Sequence, residues 1–591
     1  MEELLIPNPS RHDVVSFTIL VNGTVINPAY EVLALSVTKE INRVPFASLV
    51  IRDGTAAEQD FEISNADTFV PGNKLKIKLG LDGDNTQVFQ GIILRHAVKV
   101  RANGNTELRI ECRDEAVKMT IGRRNHYYEN LTDSELFDEL IGRYKGLKSA
   151  PAATSPTYKE IVQHHVTDWD FMLLRAEANG MLVQVEDGTV KIAKPDTTVS
   201  PVLQVTYGSS ILEFEAEINA QTQLKSVKAS SWDHSNQQLF DADTSEAATF
   251  QESGNIEGSE LANAVSPDFF ELHHSGFLQE QELQNWVDGM MLRSRLSKIR
   301  GRAKVTGFAG IRPGDMVKLA GVGDRFNGKA FVTAVRHDVG NGTWDTHIQF
   351  GLDPERYGRL HPDTNDLLSA GLMGAVHGLQ IGKVVQLEND PAGEDRILVR
   401  VPVIDRNGPG IWTRVASLDA GANRGAFFRP EINDEVVVGF LDDDPRHAVV
   451  LGMLHSSNSP APIAAQDVNH EKGFTTRSGM HLQFNDDTKT IAIDTPAGNS
   501  VRLDEQGRKI EIADQNGNKV TLDTTGIKLE SPLNIELKAG VNLTLSAGAS
   551  LTIGGTSLSV KADGNVGIEG AFTKLSAQGI TEISGSLVKI N

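Results

Sequence analysis

Cysteine is nearly absent from this chain: Cys112 is the single one in 591 residues, so an internal disulfide framework and any all-cysteine metal cluster are excluded. The fold has to stand on packing. Positive charge is also scarce, with 57 Lys and Arg against 78 Asp and Glu and a net charge of −21, which opposes unguided attraction to phosphate backbones or anionic membranes. Nucleic acid is therefore not an expected partner. No stretch approaches the eighteen consecutive apolar residues of a membrane span, and Met1 to Pro9 carries no basic leader ahead of an apolar run. The expectation is synthesis in a cytoplasm and export, if any, by a route other than general secretion. No Gly-rich phosphate loop ending in Lys-Ser/Thr and no Gly-x-Ser-x-Gly elbow occurs. Catalysis has no candidate constellation, and no cofactor is expected.

What is present is sufficient for folded domains: 39% apolar and 23% charged residues. The length calls for several domains or one elongated component. Phe17 to Val21 and Val25-Ile26 flank Asn22-Gly23, the dipeptide that best accepts two positive φ values, which predicts a tight hairpin. Lys74 to Leu79 and Leu108 to Ile110 alternate with the period of half-buried strands. Three helices are expected among them. Thr132 and Glu135 have capping-box spacing ahead of Leu136, Phe137, Leu140 and Ile141; a second helix starts near Thr167 or Asp168 and stops at Gly180; a third runs from about Glu280 to Ile299. Their apolar stripes read as core contacts. The following cations, Arg293, Arg295, Lys298, Arg300, Arg302 and Lys304, read as a solvated helix face and strand, or as a positive ring if an oligomer gathers them.

Two segments echo each other. Val70-Pro-Gly-Asn-Lys-Leu75, Phe89-Gln-Gly91 and Arg95-His96 are matched by Arg312-Pro-Gly-Asp-Met-Val317, Phe326-Asn-Gly328 and Arg336-His337. Internal duplication and two merely similar turn-strand units both remain open. Farther on, five short strand patterns, Lys383–Leu387, Ile397–Val401, Trp412–Val415, Glu435–Phe440 and Ala448–Leu451, suit a small barrel of the oligonucleotide/oligosaccharide-binding (OB) type.

The carboxyl-terminal region is rhythmic. Aliphatic pairs recur at Val501/Leu503, Ile510/Ile512, Val520/Leu522, Ile527/Leu529, Ile535/Leu537, Leu543/Leu545, Leu551/Ile553, Leu558/Val560 and Val566/Ile568, a period of about eight residues, with Gly, Asn, Ser, Thr and Asp between them. From residue 532 onward Phe572 is the one aromatic, so a narrow, uniform cross-section is expected. Two aliphatics per period do not offset the entropy of ordering a whole period of backbone. This predicts that three chains wind together into a triangular β-prism, with Leu551, Ile553, Leu558, Val560, Val566 and Ile568 on the shared axis. A single-chain solenoid with three repeats per coil is the alternative.

The other polar clusters have ordinary readings. His164-His165 and His273-His274 are adjacent pairs that rarely face one metal together, and Asp442-Asp-Asp444 lies in a barrel turn where solvated acids are common. Arg123-Arg-Asn-His-Tyr-Tyr128 mixes base and aromatic as single-strand binders do, but on an acidic chain it reads as an interface loop.

At the barrel and shaft the sequence resembles a known family. Gly382-Lys-Val-Val, Asp395-Arg-Ile-Leu-Val-Arg-Val-Pro402, Trp412-Thr-Arg-Val-Ala416, Arg424-Gly-Ala-Phe-Phe-Arg-Pro-Glu431, Asp434-Glu-Val-Val-Val-Gly-Phe440, Asp444-Pro-Arg446 and Val449-Val-Leu-Gly452 are similar to the VgrG spike family of contractile injection systems, which includes type VI secretion spikes and phage baseplate hub and needle proteins. Thr167-Asp-Trp-Asp-Phe171, Glu177, Gly180 and Arg312-Pro-Gly-Asp315 resemble that family's hub. The resemblance implies a mainly β, α+β protein: a hub over 1–370 with two similar β-barrel subdomains, an OB-fold neck over 380–456, a connector over 457–473, and a trimeric β-helical shaft over 474–591.

It also implies a homotrimeric, non-enzymatic spike that adapts a hexameric inner tube to a threefold needle. Partners would be the tube protein, baseplate proteins, a PAAR-type tip protein and effector cargo, with only transient mechanical contact with membrane, in a particle that is released or injected. Some relatives insert a muramidase between neck and shaft or end in an iron-binding His-x-His tip. Here the connector is short and His481 is the last histidine, so neither is expected. A blunt end at Val588, Ile590 and Asn591 would receive the tip protein. The alternative is a phage-type tail spike or adhesin that binds or degrades surface glycans.

Overall fold

The computed structural model describes residues 7, 13–101, 106–247, 250–364 and 366–590. The amino-terminal segment of the leader argument lies almost wholly outside them, as does Asn591. The architecture is mainly β, and no helix among the described residues is long and apolar enough to cross a membrane.

A 13-stranded sheet forms the first half of the molecule, in two lobes. The first lobe contains Val15–Val21, Val32–Glu40, Phe46–Arg52, Lys74–Leu81, Asp84–Val100 and Thr106–Arg113; the second contains Leu203–Thr206, Ile211–Ile218, Ile299–Thr306, Met316–Ala320, Gly328–Gly340 and Thr343–Phe350. Each has its own apolar core, around Leu35, Ile77 and Ile110 in one and Val205, Val317 and Ile348 in the other. The hairpin at Asn22-Gly23 forms as expected, with φ of 52° and 87° at the two residues.

The lobes share one strand order and the Pro-Gly echo marks the repeat, although Leu203–Thr206 runs parallel to Met316–Ala320 where Val15–Val21 runs antiparallel to Lys74–Leu81. The Gly72 amide donates to the Ile93 carbonyl at 2.8 Å while the Ile93 amide donates to the Asn73 carbonyl at 2.9 Å. Gly314, Val332 and Asp315 repeat this reciprocal pair at 2.8 and 2.9 Å. Gly72 and Gly314 sit at φ of +101° and +94°, a region open to glycine. A bulge follows at once in both long strands, between Ile93 and Arg95 and between Val332 and Ala334. A second pair of bulges matches as well, between Val32 and Ala34 and between Ile211 and Glu213. The other echoes do not align: Leu75 faces Gly91 where Val317 faces Ala330, so Gly91 corresponds to Ala330 and not to Gly328. The same register makes Arg95 the counterpart of Ala334, so the two Arg-His dipeptides are coincidental.

Helical insertions complete this half. Asp133–Gly142 begins with the expected reciprocal cap between Thr132 and Glu135. Asp168–Ala178 is capped by Thr167, whose Oγ1 accepts from the Asp170 amide at 3.0 Å. The third helix is Glu280–Leu296, three residues shorter than expected, because Ile299 already opens a strand.

The run of cations departs from its sequence reading. Arg293, Arg295 and Lys298 are buried rather than solvated. Arg293 donates to Glu177 and to the carbonyls of Asp353 and Glu355, and Lys298 to Glu252 and to the carbonyls of Ser253 and Ile256. Buried cations need such partners, and these lie far away in sequence. Arg300, Arg302 and Lys304 pair across strands with Glu217, Glu215 and Glu213.

Gln380–Gln386, Ile397–Arg400, Ile411–Val415, Ala448–Met453 and Glu435–Phe440 close into a five-stranded barrel, in that order around its wall. Its core is small and aliphatic, with Val384, Ile397, Val399, Val436, Val438 and Val450 inside. Beyond it, Glu471–Thr475, His481–Asn485, Thr490–Asp494, Ser500–Asp504, Lys509–Ala513, Lys519–Asp523 and Gly526–Glu530 form an antiparallel meander in which each strand pairs with the next. The rhythm read from the sequence therefore begins as hairpins within one chain. From Ser531 to Ile590 no strand is paired within the chain among the described residues.

Candidate assembly surface

The meander carries its apolar residues on one face. Cross-strand register aligns Phe474, Leu482, Ile493, Val501, Ile512, Val520 and Leu529 in one row, and Phe484, Ile491, Leu503, Ile510, Leu522 and Ile527 in a second. Side chains alternate across a strand, so both rows project the same way while Gln483, Ala492, Arg502, Glu511 and Thr521 between them project oppositely. The polar reverse face is tied by ion pairs, including Lys519 with Glu511 at 2.7 Å. The apolar face has no cover: Ile493 is 50% exposed, Ile512 47% and Ile527 75%. A sheet with one wet and one dry face needs a second layer on the dry side.

Beyond residue 530 the exposure increases. Leu551, Ile553, Leu558, Val560, Val566 and Ile568, expected on a shared axis, are all exposed in the single chain, as are Val588 and Ile590 at the expected docking end. Nothing in the chain brings these residues together. Many apolar side chains in water along one segment far exceed the scattered singles of an ordinary surface.

The remaining candidates fall elsewhere. His273 and His274 point apart, His273 toward Ser230 and Glu271 and His274 toward the Gly276 carbonyl. His165 pairs with Asp366 at 2.7 Å. Arg123 is occupied by the carbonyls of His165, Asp363 and Thr364. Asp444 is clasped by Arg446, whose hydrogen bond holds the carboxyl down at about 2. Among the described residues no group of three or more His, Cys, Asp or Glu is placed to hold a metal ion.

A family model described as the Alg8 N-terminal domain matches residues 11–341, more than half of the chain. The chain belongs to the Alg8 N-terminal domain family. A second model, the type VI secretion system/phage-baseplate injector OB domain, matches residues 380–455, the segment that closes into the barrel. The resemblance to VgrG spikes read from the sequence is borne out by curated relatives. The spike protein VgrG1b of Pseudomonas aeruginosa is 23% identical over 225 residues, 35% of this chain and 29% of that protein. VgrG1a of the same organism is 31% identical over 78 residues, 13% of this chain and 12% of its own length. The matches thus span well under half of these relatives. Among solved structures, the tail protein from Neisseria meningitidis MC58 superposes with a TM-score of 0.43 at 16% identity, covering 60% of this chain and 99% of that one.

The barrel strands are legible in the sequence itself. The burial of Arg293, Arg295 and Lys298 has no local signal, since their carboxylate partners Glu177 and Glu252 lie far away in the sequence.

Proposed function

We propose that this chain is the spike of a contractile injection machine, working as a homotrimer with a mechanical and not a catalytic role. The observation that carries this reading is the pair of uncovered apolar rows on the 471–530 meander, continued by exposed aliphatic pairs to Ile568. Three copies of a one-faced sheet close into a prism with a dry interior, whereas one copy leaves that face wet. The injector OB domain at 380–455 and the VgrG relatives support placing that prism below a neck. Residues 1–370 would then be the hub, 380–456 the neck, 457–473 the connector and 474–591 the shaft.

The duplicated lobes support the adaptor role. Three chains with two similar lobes each present six similar units, which suits a hexameric inner tube above a threefold needle. Baseplate proteins would surround this hub. The segment at Val588, Ile590 and Asn591 would seat a PAAR-type tip protein, with effector cargo, before the shaft is driven through a target envelope.

The test is a charge on the axis. Ile568→Asp would place three carboxylates in an apolar interior, costing several kcal/mol per charge unless they take up protons. The variant is expected to lose the heat and detergent resistance of the assembled shaft. Unchanged resistance would remove Ile568 from the axis.

A further inference from the structure

Among the unpaired strand edges of the described hub residues, two stand at corresponding places in the internal repeat, which says what should cover them. The long strand of the second lobe, Gly328–Gly340, uses its near half to pair with Met316–Ala320 and its far half to pair with Ala34–Glu40 of the first lobe. The long strand of the first lobe, Asp84–Val100, pairs in the same way with Lys74–Leu81 along its near half. The matching edge of its far half, Arg95 onward, has no strand on it among the described residues. The counterpart of Ala34–Glu40 in the second lobe is Ile211–Ile218, the terminal strand of the sheet, which pairs on one side only, with Ile299–Thr306.

The consequence appears in burial. His337 and Val339 are 3% and 8% exposed, with Val37 and Leu35 opposite them on one side and Trp344 packed against them on the other. Their counterparts Val98 and Val100 are 43% and 65% exposed. Two differences separate the positions: the second lobe has a covering strand and Trp344, where the first has an open edge and Thr106.

Resting on the trimer reading, we propose that the hub closes by strand pairing between copies, Ile211–Ile218 of one chain lying antiparallel to residues 95–101 of the next. The repeat fixes the register. His337 opposite Val37 becomes Val98 opposite Ala216, and Val339 opposite Leu35 becomes Val100 opposite Phe214. On the other face, Asp338 opposite Ser36 becomes Lys99 opposite Glu215, and Gly340 opposite Ala34 becomes Arg101 opposite Glu213. One edge carries cations and the other carboxylates at matching steps, Glu215 and Glu213 already holding Arg302 and Lys304 within their own sheet and Arg101 lying 3.7 Å from Glu107, so the new pairs would extend existing charge ladders, while the alternate positions are apolar on both. Opposed charges directly across a sheet are favourable, and free edges are templates for pairing. Because the edges differ, association is head to tail and ends when a ring closes.

The experiment is a disulfide across the joint in the full chain. Val98→Cys with Ala216→Cys is expected to give, on mild oxidation, a covalent three-chain species in denaturing gels. Cys112 does not compete, because it is buried and burial pushes its thiol up to about 12. Val98→Cys with Phe214→Cys, a two-residue slip, is expected to cross-link roughly tenfold less, since a diagonal pair exceeds disulfide reach. A second readout needs no substitution: outward amides of Ile211–Ile218 should exchange slowly in the native assembly. A chain that sediments as a trimer, yet neither cross-links in this register nor protects that strand, would overturn the pairing and leave the spike reading intact. A chain that sediments as a monomer would overturn both.

Discussion

Phe428 lies flat on Phe474, with ring centroids 5.1 Å apart and planes 10° from parallel. Phe428 belongs to a loop of the barrel and Phe474 to the first strand of the meander. Arg477 and Glu431 pair beside them at 2.8 Å. This joint sets where the apolar face begins relative to the barrel above it. A double-mutant cycle with Phe428→Ala and Phe474→Ala, read by denaturant unfolding, is expected to give a coupling of about 0.5–1.5 kcal/mol. Additive losses would mean that the two rings do not support each other.

Gly289 in the middle of Glu280–Leu296 meets Gly180 at the end of Asp168–Ala178. A Cβ on Gly289 would stand 2.7 Å from the Gly180 Cα and 3.0 Å from its amide nitrogen, closer than backbone tolerates. Gly289→Ala would raise helix propensity by about 1 kcal/mol on an open surface. Here it is expected to destabilise by about 1–3 kcal/mol, because the helices must part. A higher denaturation midpoint for Gly289→Ala would contradict the close crossing.

His337 is buried at the joint between the lobes, with its Nδ1 3.1 Å from Thr346 Oγ1. Burial, reinforced by Lys39 and His347 and opposed by Asp338, lowers its pKa from 6.5 to about 3. The folded chain therefore stays unprotonated at His337 between those values, where the unfolded chain takes up a proton. The stability from a neutral His337 is complete above about 6.5 and is lost as pH falls toward 3. Between pH 7 and pH 4.5 this amounts to about 2–3 kcal/mol. His337→Gln should reduce the acid-induced loss in urea unfolding by that amount. An unchanged pH slope would place the acid sensitivity elsewhere.

Local signals in the sequence survived where the physics is local. The Thr132/Glu135 cap, the Asn22-Gly23 hairpin and the five barrel strands all follow from residues within a few positions of each other. The Pro-Gly echo also held, because Gly72 and Gly314 each need a positive φ to complete the same reciprocal hydrogen bonds. The Arg-His and Phe-x-Gly echoes had no such requirement and proved out of register. Arg293 and Lys298 were misread for the opposite reason: nothing near them announces that Glu177 and Glu252 will meet them in the interior. The aliphatic rhythm was plain, but its pairing was not. Alternation sets the face of each strand, while the short polar turns between strands decided that residues 471–530 pair as hairpins before the chain runs out unpaired.

In the proposed spike, the apolar face of the shaft is covered by other copies of the same chain. Sedimentation equilibrium of the purified 591-residue chain measures this without substitution or partner. The expected result is the mass of three chains, unchanged on dilution through the micromolar range. A single-chain mass, with the apolar rows still in water, would contradict it.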